Sequence, residues 1–152
     1  ARIEVLIGHG RDRLISIQER FGPDSLDFLF LDHRSNVYHE DLALAESLSL
    51  LRHGCVVAAD NVLTPGAPAL LWHMLQSASA VQYRMFAVEL QEFGRQGQRD
   101  WLCICWVRRI ADTRLSKTSM FVIPPAPVRR LMRLVDQTSW QHAASPWQQW
   151  VK

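Results

Sequence analysis

With 152 residues, 48% hydrophobic and 21% charged, the chain is long enough for one domain with a real core. Its net charge of +2 is too small to argue for nucleic acid. No apolar run approaches the length of a membrane span and no signal-peptide pattern occurs, so the expectation is a cytoplasmic protein. The three cysteines, Cys55, Cys103 and Cys105, lie in apolar runs and read as small reduced core residues.

The chain opens on Arg2–Ile7, which alternates enough for a strand, and Arg11–Arg20 reads as a helix. Between them stands Gly8-His9-Gly10-Arg11. Strand, G-x-G and helix suggest a dinucleotide turn, but Arg13 occupies the place of the third glycine and no acidic residue follows at the required distance. Gly22-Pro23-Asp24 is a turn.

From Ser25 to Pro65 the pattern is that of a βαβ unit. Leu26–Leu31 is apolar except for Asp27, and Cys55–Ala59 is wholly small or β-branched, as suits strands buried on both faces of a parallel sheet. Leu44, Leu48 and Leu51 fall at i, i+4 and i+7 on a helix between them. Glu40 and Asp41 sit in its first turn, Arg52 and His53 in its last, and Gly54 is the stop. A right-handed crossover sends both strand ends to one edge of the sheet, where α/β proteins bind ligands. Asp32 ends the first strand and Asp60 the second, about 5 Å apart if the strands are neighbours. With the amide oxygen of Asn61 they form a hard oxygen set suited to Mg2+. The plainer alternative is that both aspartates cap the helices that follow.

Thr64-Pro65-Gly66-Ala67-Pro68 makes a rigid loop, and about Ala69 to Gln76 is a helix with Trp72, Met74 and Leu75 as its buried face. Val81–Leu90 and Trp101–Val107 are strands joined by a polar loop, Gln91–Asp100, and so a terminal antiparallel hairpin. Ile123–Pro127 is a polyproline-like spacer. Val128–Gln137 places Val128, Leu131, Met132 and Val135 on one face of a short helix, with Arg129, Arg130 and Arg133 opposite. This basic stretch either packs on its own domain, stays loosely ordered, or meets a partner or membrane surface through residues 128–150, where Trp140, Trp147 and Trp150 lie.

At FLDHRSNVY and GCVVAADNVLTPG the chain resembles the catechol O-methyltransferase family, whose members use S-adenosylmethionine and Mg2+. The pair of motifs at this separation is more specific than either alone, and the resemblance runs from about Ile3 to Val107. It implies a partial Rossmann-like methyltransferase sheet of α/β class, entered at the family's third strand with the first two strands missing. Residues 1–108 would be the second half of the domain and 109–152 a carboxyl-terminal extension. The implied reaction is Mg2+-dependent methyl transfer from S-adenosylmethionine to one hydroxyl of a catechol or phenol. The resemblance assigns Asp32, Asp60 and Asn61 to the metal. It assigns Gly8, Gly10, Arg11, Asp32 and His33 to the cofactor, with the Gly8–Arg11 turn against its adenine. Asn61, Pro65 and Glu89 fall to the acceptor, with Trp72 and Met74 beyond Pro65 and Glu92 as a rival to Glu89.

Two departures stand out. Ser35 occupies the position of the family's lysine base, and a serine hydroxyl is a poor base near neutrality, so no catalytic base is assigned. Arg34 replaces an aromatic residue over the acceptor ring, which shifts the expectation toward acidic phenols. A non-catalytic interaction module is therefore the alternative, and a basic RNA-binding piece built on Arg129, Arg130, Arg133, Trp140 and Trp147 is a third reading. Without the two absent strands, Arg2–Ile7 is expected either to pair directly beside Leu26–Asp32 or to leave a marginally stable chain with an open apolar edge.

Overall fold

The computed structural model describes residues 3–75, 81–91, 97–109 and 123–143, and for 81, 82, 109 and 138–143 the backbone alone. Helix α1 (Gly10–Phe21) forms where expected and stops at Gly22, whose positive φ of 75° suits glycine and whose N–H returns to the Gln18 carbonyl. The preceding segment departs from expectation. Ile3–Ile7 is not a strand, and Ile3, Val5 and Ile7 are 90%, 80% and 88% exposed. A strand exists only through a neighbour's hydrogen bonds. Here Glu4 is tied instead to the Arg20 guanidinium on α1 at 2.6 Å, which draws the segment to the helix and away from the sheet edge. Of the expected strand Arg2–Ile7, the described residues Ile3–Ile7 therefore do not extend the sheet.

β1 (Leu26–Leu31) runs parallel to β2 (Leu51–Ala59), with α2 (Tyr38–Ser47) as the crossover. α2 ends earlier than its leucine spacing suggests, because Ser49 turns the chain with φ 56° and its carbonyl accepts from the Asp24 N–H. Arg52, His53 and Gly54, expected as the helix end, belong to β2. They bulge outward where the register shifts between Leu26↔Leu51 and Phe28↔Val56, with Gly54 at φ 80°. The inward face of α2 is Tyr38, Leu42 and Ala45, all fully buried.

β2 pairs antiparallel with β4 (Arg99–Arg109), and β4 with β3 (Val81–Gln91), giving the order β1-β2-β4-β3. The sheet is thus α/β, a parallel pair continued by the expected antiparallel hairpin. Leu31, Val57, Ala59, Cys103, Cys105 and Val107 form its covered side, in one core with Leu14, Leu42 and Leu70 from the helices. Each leucine or valine among them contributes about 1.5–3 kcal/mol on burial. Met74, on α3 (Pro68–Met74), belongs to that core: the Cys105 thiol points at its sulfur at 3.4 Å and lies 3.5 Å from the Cys103 sulfur. All three cysteines are free and buried, as expected. The other side is bare. Phe28 and Phe30 are 58% and 49% exposed, and Phe86 and Trp106 share that face, so β1 is not buried on both faces as its composition suggests.

The last helix, α4 (Ala126–Ala143), starts inside the expected proline spacer and packs on α3 and on the turns Ser35–Val37 and Val62–Gly66. Val135 is buried, and the Asn36 side-chain amide donates to Asp136, while Leu131, expected on the apolar face, is exposed. No helix among the described residues is long and apolar enough to cross a membrane. Gly66 sets how closely α4 approaches: its φ is +114°, and a Cβ there would stand 3.2 Å from Val135 Cγ2. Gly66→Ala is expected to lower stability by about 1–3 kcal/mol in urea denaturation. Adding Val135→Ala relieves only the contact and not the backbone strain, so most of that loss remains.

Candidate active site

The site candidates collect where β1 and β2 end. Leu31 and Ala59 are register partners, and the Asp60 N–H donates to the Leu31 carbonyl at 3.0 Å. Asp32 and Asp60 therefore leave neighbouring strands side by side at one rim. Asp32 is exposed; Asp60 is half-buried and accepts from the Asn61 N–H at 2.9 Å. Asn61 sits in the left-handed region at φ 56° and ψ 35°, which asparagine tolerates better than most residues.

A residue that sequence reasoning placed in a loop completes this rim. Asp100 is the second residue of β4 and only 2% exposed. One of its oxygens accepts from the Asn61 side-chain amide at 3.0 Å. The other accepts from the backbone N–H groups of Leu63 and Thr64 at 3.0 Å each and of Trp101 at 2.6 Å. The available signal was a carboxylate directly abutting the apolar run Trp101–Val107, an expensive position unless the charge is hydrogen-bonded.

Electrostatics tie the three carboxylates together. Tyr38 is fully buried and its hydroxyl donates to the His33 carbonyl at 3.2 Å. Its phenol is pushed far above the ordinary range, first by burial and then by the negative charge of Asp32, Asp60 and Asp100. Neither Asp32 nor Asp60 joins an ion pair among the described residues. Nor, among those residues, does any group of three or more His, Cys, Asp or Glu side chains stand in metal-holding range. An ion at this rim would rest on two carboxylates and one amide oxygen, a hard set that fits Mg2+ with oxygens of water or a ligand filling the remaining places.

Gly10 and His33 meet through Asp41. The His33 Nε2 lies 2.8 Å from Asp41 Oδ2, and a Cβ on Gly10 would stand 2.9 Å from the same oxygen, so the start of α1 lies close against the Asp41 carboxylate. The His33 ring also packs edge-on to Tyr38 at 4.9 Å. Gly8 lies against the Arg13 guanidinium, and Arg11 is exposed in the first turn of α1. Ser35 is buried, and its hydroxyl donates to the Gly66 carbonyl at 2.8 Å, cross-tying the turns after β1 and β2. That role needs no titration. Ser35→Ala is expected to cost about 1 kcal/mol in a denaturation curve, through loss of that one hydrogen bond.

Pro65 is half-buried beside Gly66. Glu89 lies on β3, exposed and paired with Arg99 Nη1 at 3.0 Å, and forms no hydrogen bond with Asp60 or Asn61. Trp72 is half-buried on α3 and Arg34 is exposed. Glu92, Trp147 and Trp150 lie outside the described residues, as does the side chain of Trp140.

Comparison with known proteins gives this rim a context. The chain is 41% identical over 73 residues to catechol O-methyltransferase of Sus scrofa, covering 48% of this chain and 39% of that protein. The Mus musculus catechol O-methyltransferase is 38% identical over 78 residues, covering 51% of this chain and 29% of its own length. Part of this chain is homologous to the catechol O-methyltransferases. The similarity extends to the transmembrane O-methyltransferase of Homo sapiens, 32% identical over 91 residues, 60% of this chain and 31% of that one. The relatives are thus O-methyltransferases, and this chain spans less than half the length of each. No protein-family model matches. A solved structure of a Klebsiella pneumoniae protein assigned as an O-methyltransferase superposes with a TM-score of 0.46 at 16% identity, over 62% of this chain and 46% of that one.

Proposed function

We propose that this chain forms the ion- and acceptor-binding part of an O-methyltransferase that moves a methyl group from S-adenosylmethionine to one hydroxyl of a catechol-type acceptor, with Mg2+. The carrying observation is that Asp32 and Asp60 leave adjacent parallel strands side by side, neither one in an ion pair among the described residues. When bound there, Mg2+ lowers the pKa of an acceptor hydroxyl and orients it. Asp32 and Asp60 supply the negative charge that attracts the cation, and Asn61 contributes a neutral oxygen. Pro65 walls the acceptor beside them, and Glu89 is the acid assigned to the second hydroxyl. The turn Gly8–Arg11 and His33 are the cofactor side, and their link through Asp41 supports a single contiguous surface running to the ion. Positioning of two reactants on one rigid rim supplies much of the rate of such a transfer.

Calorimetry of the chain with a catechol, in Mg2+ and in EDTA, tests this together with transfer of labelled methyl from S-adenosylmethionine. Catechol binding that needs Mg2+ and is absent for a monophenol supports the reading; binding indifferent to Mg2+ overturns it. A non-catalytic module is favoured by one specific observation. Ser35 and His33, the groups nearest to a base position, are committed to the Gly66 carbonyl and to Asp41. That alternative gains if neither Mg2+-dependent binding nor transfer is seen.

A further inference from the structure

The buried carboxylate of Asp100 lies outside the set that the resemblance assigns, yet it controls the one member of that set whose two ends are chemically different. An amide can offer either oxygen or NH2 to a cation, and only the oxygen binds it. Asp100 Oδ2 accepts from Asn61 Nδ2 at 3.0 Å, so the nitrogen end is spoken for and only the oxygen end remains for a cation. Its other oxygen is held by the N–H groups of Leu63, Thr64 and Trp101, so the carboxylate cannot rotate away without breaking the turn before Pro65.

We infer that Asp100 is a positioning residue that presents the Asn61 amide oxygen to a divalent cation held by Asp32 and Asp60. The inference rests on the cation-site reading above. Its consequence is specific. In D100N the single remaining oxygen must stay with the three backbone N–H groups, which only an acceptor can satisfy. The new NH2 then faces the NH2 of Asn61. Turning the Asn61 amide over relieves that clash of donors and offers the cation a nitrogen-bound hydrogen instead of an oxygen. Outer partners of this kind govern metal affinity by about 10–100-fold.

The experiment is Mn2+ binding to the unaltered chain, to D100N and to the exchange variant N61D/D100N, followed by calorimetry at fixed pH. D100N is expected to bind Mn2+ about 10–100-fold more weakly. The exchange variant should recover most of that loss: the introduced NH2 donates to one oxygen of the introduced carboxylate and leaves the other for the ion. Circular dichroism and denaturation midpoints accompany each variant, because a purely structural Asp100 predicts equal damage in both and no recovery.

If the unaltered chain binds no Mn2+, the cation reading falls and this inference with it. If it binds Mn2+ and D100N binds equally well, or the exchange recovers nothing, this inference alone falls. Should D100N not fold, nitrogen–proton NMR of the unaltered chain decides. The Asn61 side-chain amide pair should shift on adding Mg2+ while its Asp100-facing proton exchanges slowly, and a pair that ignores Mg2+ overturns the assignment.

Discussion

Asp60→Ala is expected to weaken divalent-cation binding by at least about 100-fold, beyond the upper end of what losing an outer partner costs. Two effects add. The first is loss of one of only two carboxylates at the rim. The second is loss of the oxygen that accepts from the Asn61 N–H, which helps hold Asn61 in its left-handed conformation. Asp32→Ala incurs the first effect without the second, since Asp32 is exposed and holds no backbone group. It should therefore weaken binding less than Asp60→Ala does. Stability should respond differently from affinity: removing a repelling charge from the set of Asp32, Asp60 and Asp100 partly offsets the lost hydrogen bond, so the denaturation midpoint should move little. The Tyr38 phenol gives an internal check. It is raised partly by Asp60, and Asp60→Ala should move its titration downward. Isothermal titration with Mn2+ measures the main effect. An unchanged affinity would remove Asp60 from the site.

Much of this arrangement was legible in the residues. Strand-like runs at Leu26–Leu31 and Cys55–Ala59, a helix between them and an aspartate after each are enough to send Asp32 and Asp60 to one edge of the sheet; that the two strands are neighbours comes from their observed pairing. The hairpin was equally plain, since Val81–Leu90 and Trp101–Val107 are long apolar runs around a polar loop. What failed were features set by partners rather than by local pattern. Arg2–Ile7 alternates like a strand, but strand identity requires a neighbour, and Glu4 finds Arg20 instead. Leu51 completes a helical period with Leu44 and Leu48, yet Ser49 breaks the helix with a backbone angle that no periodicity reveals. Asp100 was misread for a related reason: its polar neighbours Gln98 and Arg99 suggest a loop, while its burial is fixed by four N–H donors from two segments. Ser35 was read through what it replaces. Its actual task, bridging to the Gly66 carbonyl, lies thirty-one positions away.

Acidification should cost this chain about 3 kcal/mol of stability through His39 alone. His39 lies on α2, 2% exposed, and its imidazolium is disfavoured first by burial and then by the neighbouring His73 on α3, with Asp41 opposing weakly; the folded pKa falls to about 4. The neighbourhood is already ionic. Glu46 on α2 accepts from His73 Nε2 at 3.0 Å and from the Tyr83 hydroxyl on β3, whose phenol is raised well above its usual range by burial and by Glu46. In the unfolded chain His39 titrates near 6.5. Between pH 6.5 and 4 the unfolded state therefore holds a proton that the folded state refuses, so stability is full above that window and falls as pH drops through it. Below about pH 4 the term flattens, because both states are then protonated. Urea denaturation at pH 7 and pH 4 reads the loss, and His39→Gln, which takes up no proton at that position, isolates it. If the variant loses as much stability on acidification as the unaltered chain, His39 is not the group responsible. If it loses about 3 kcal/mol less, the proton-refusing histidine lies where α2 meets α3, and α3 is the helix that leads out of the turn carrying Pro65.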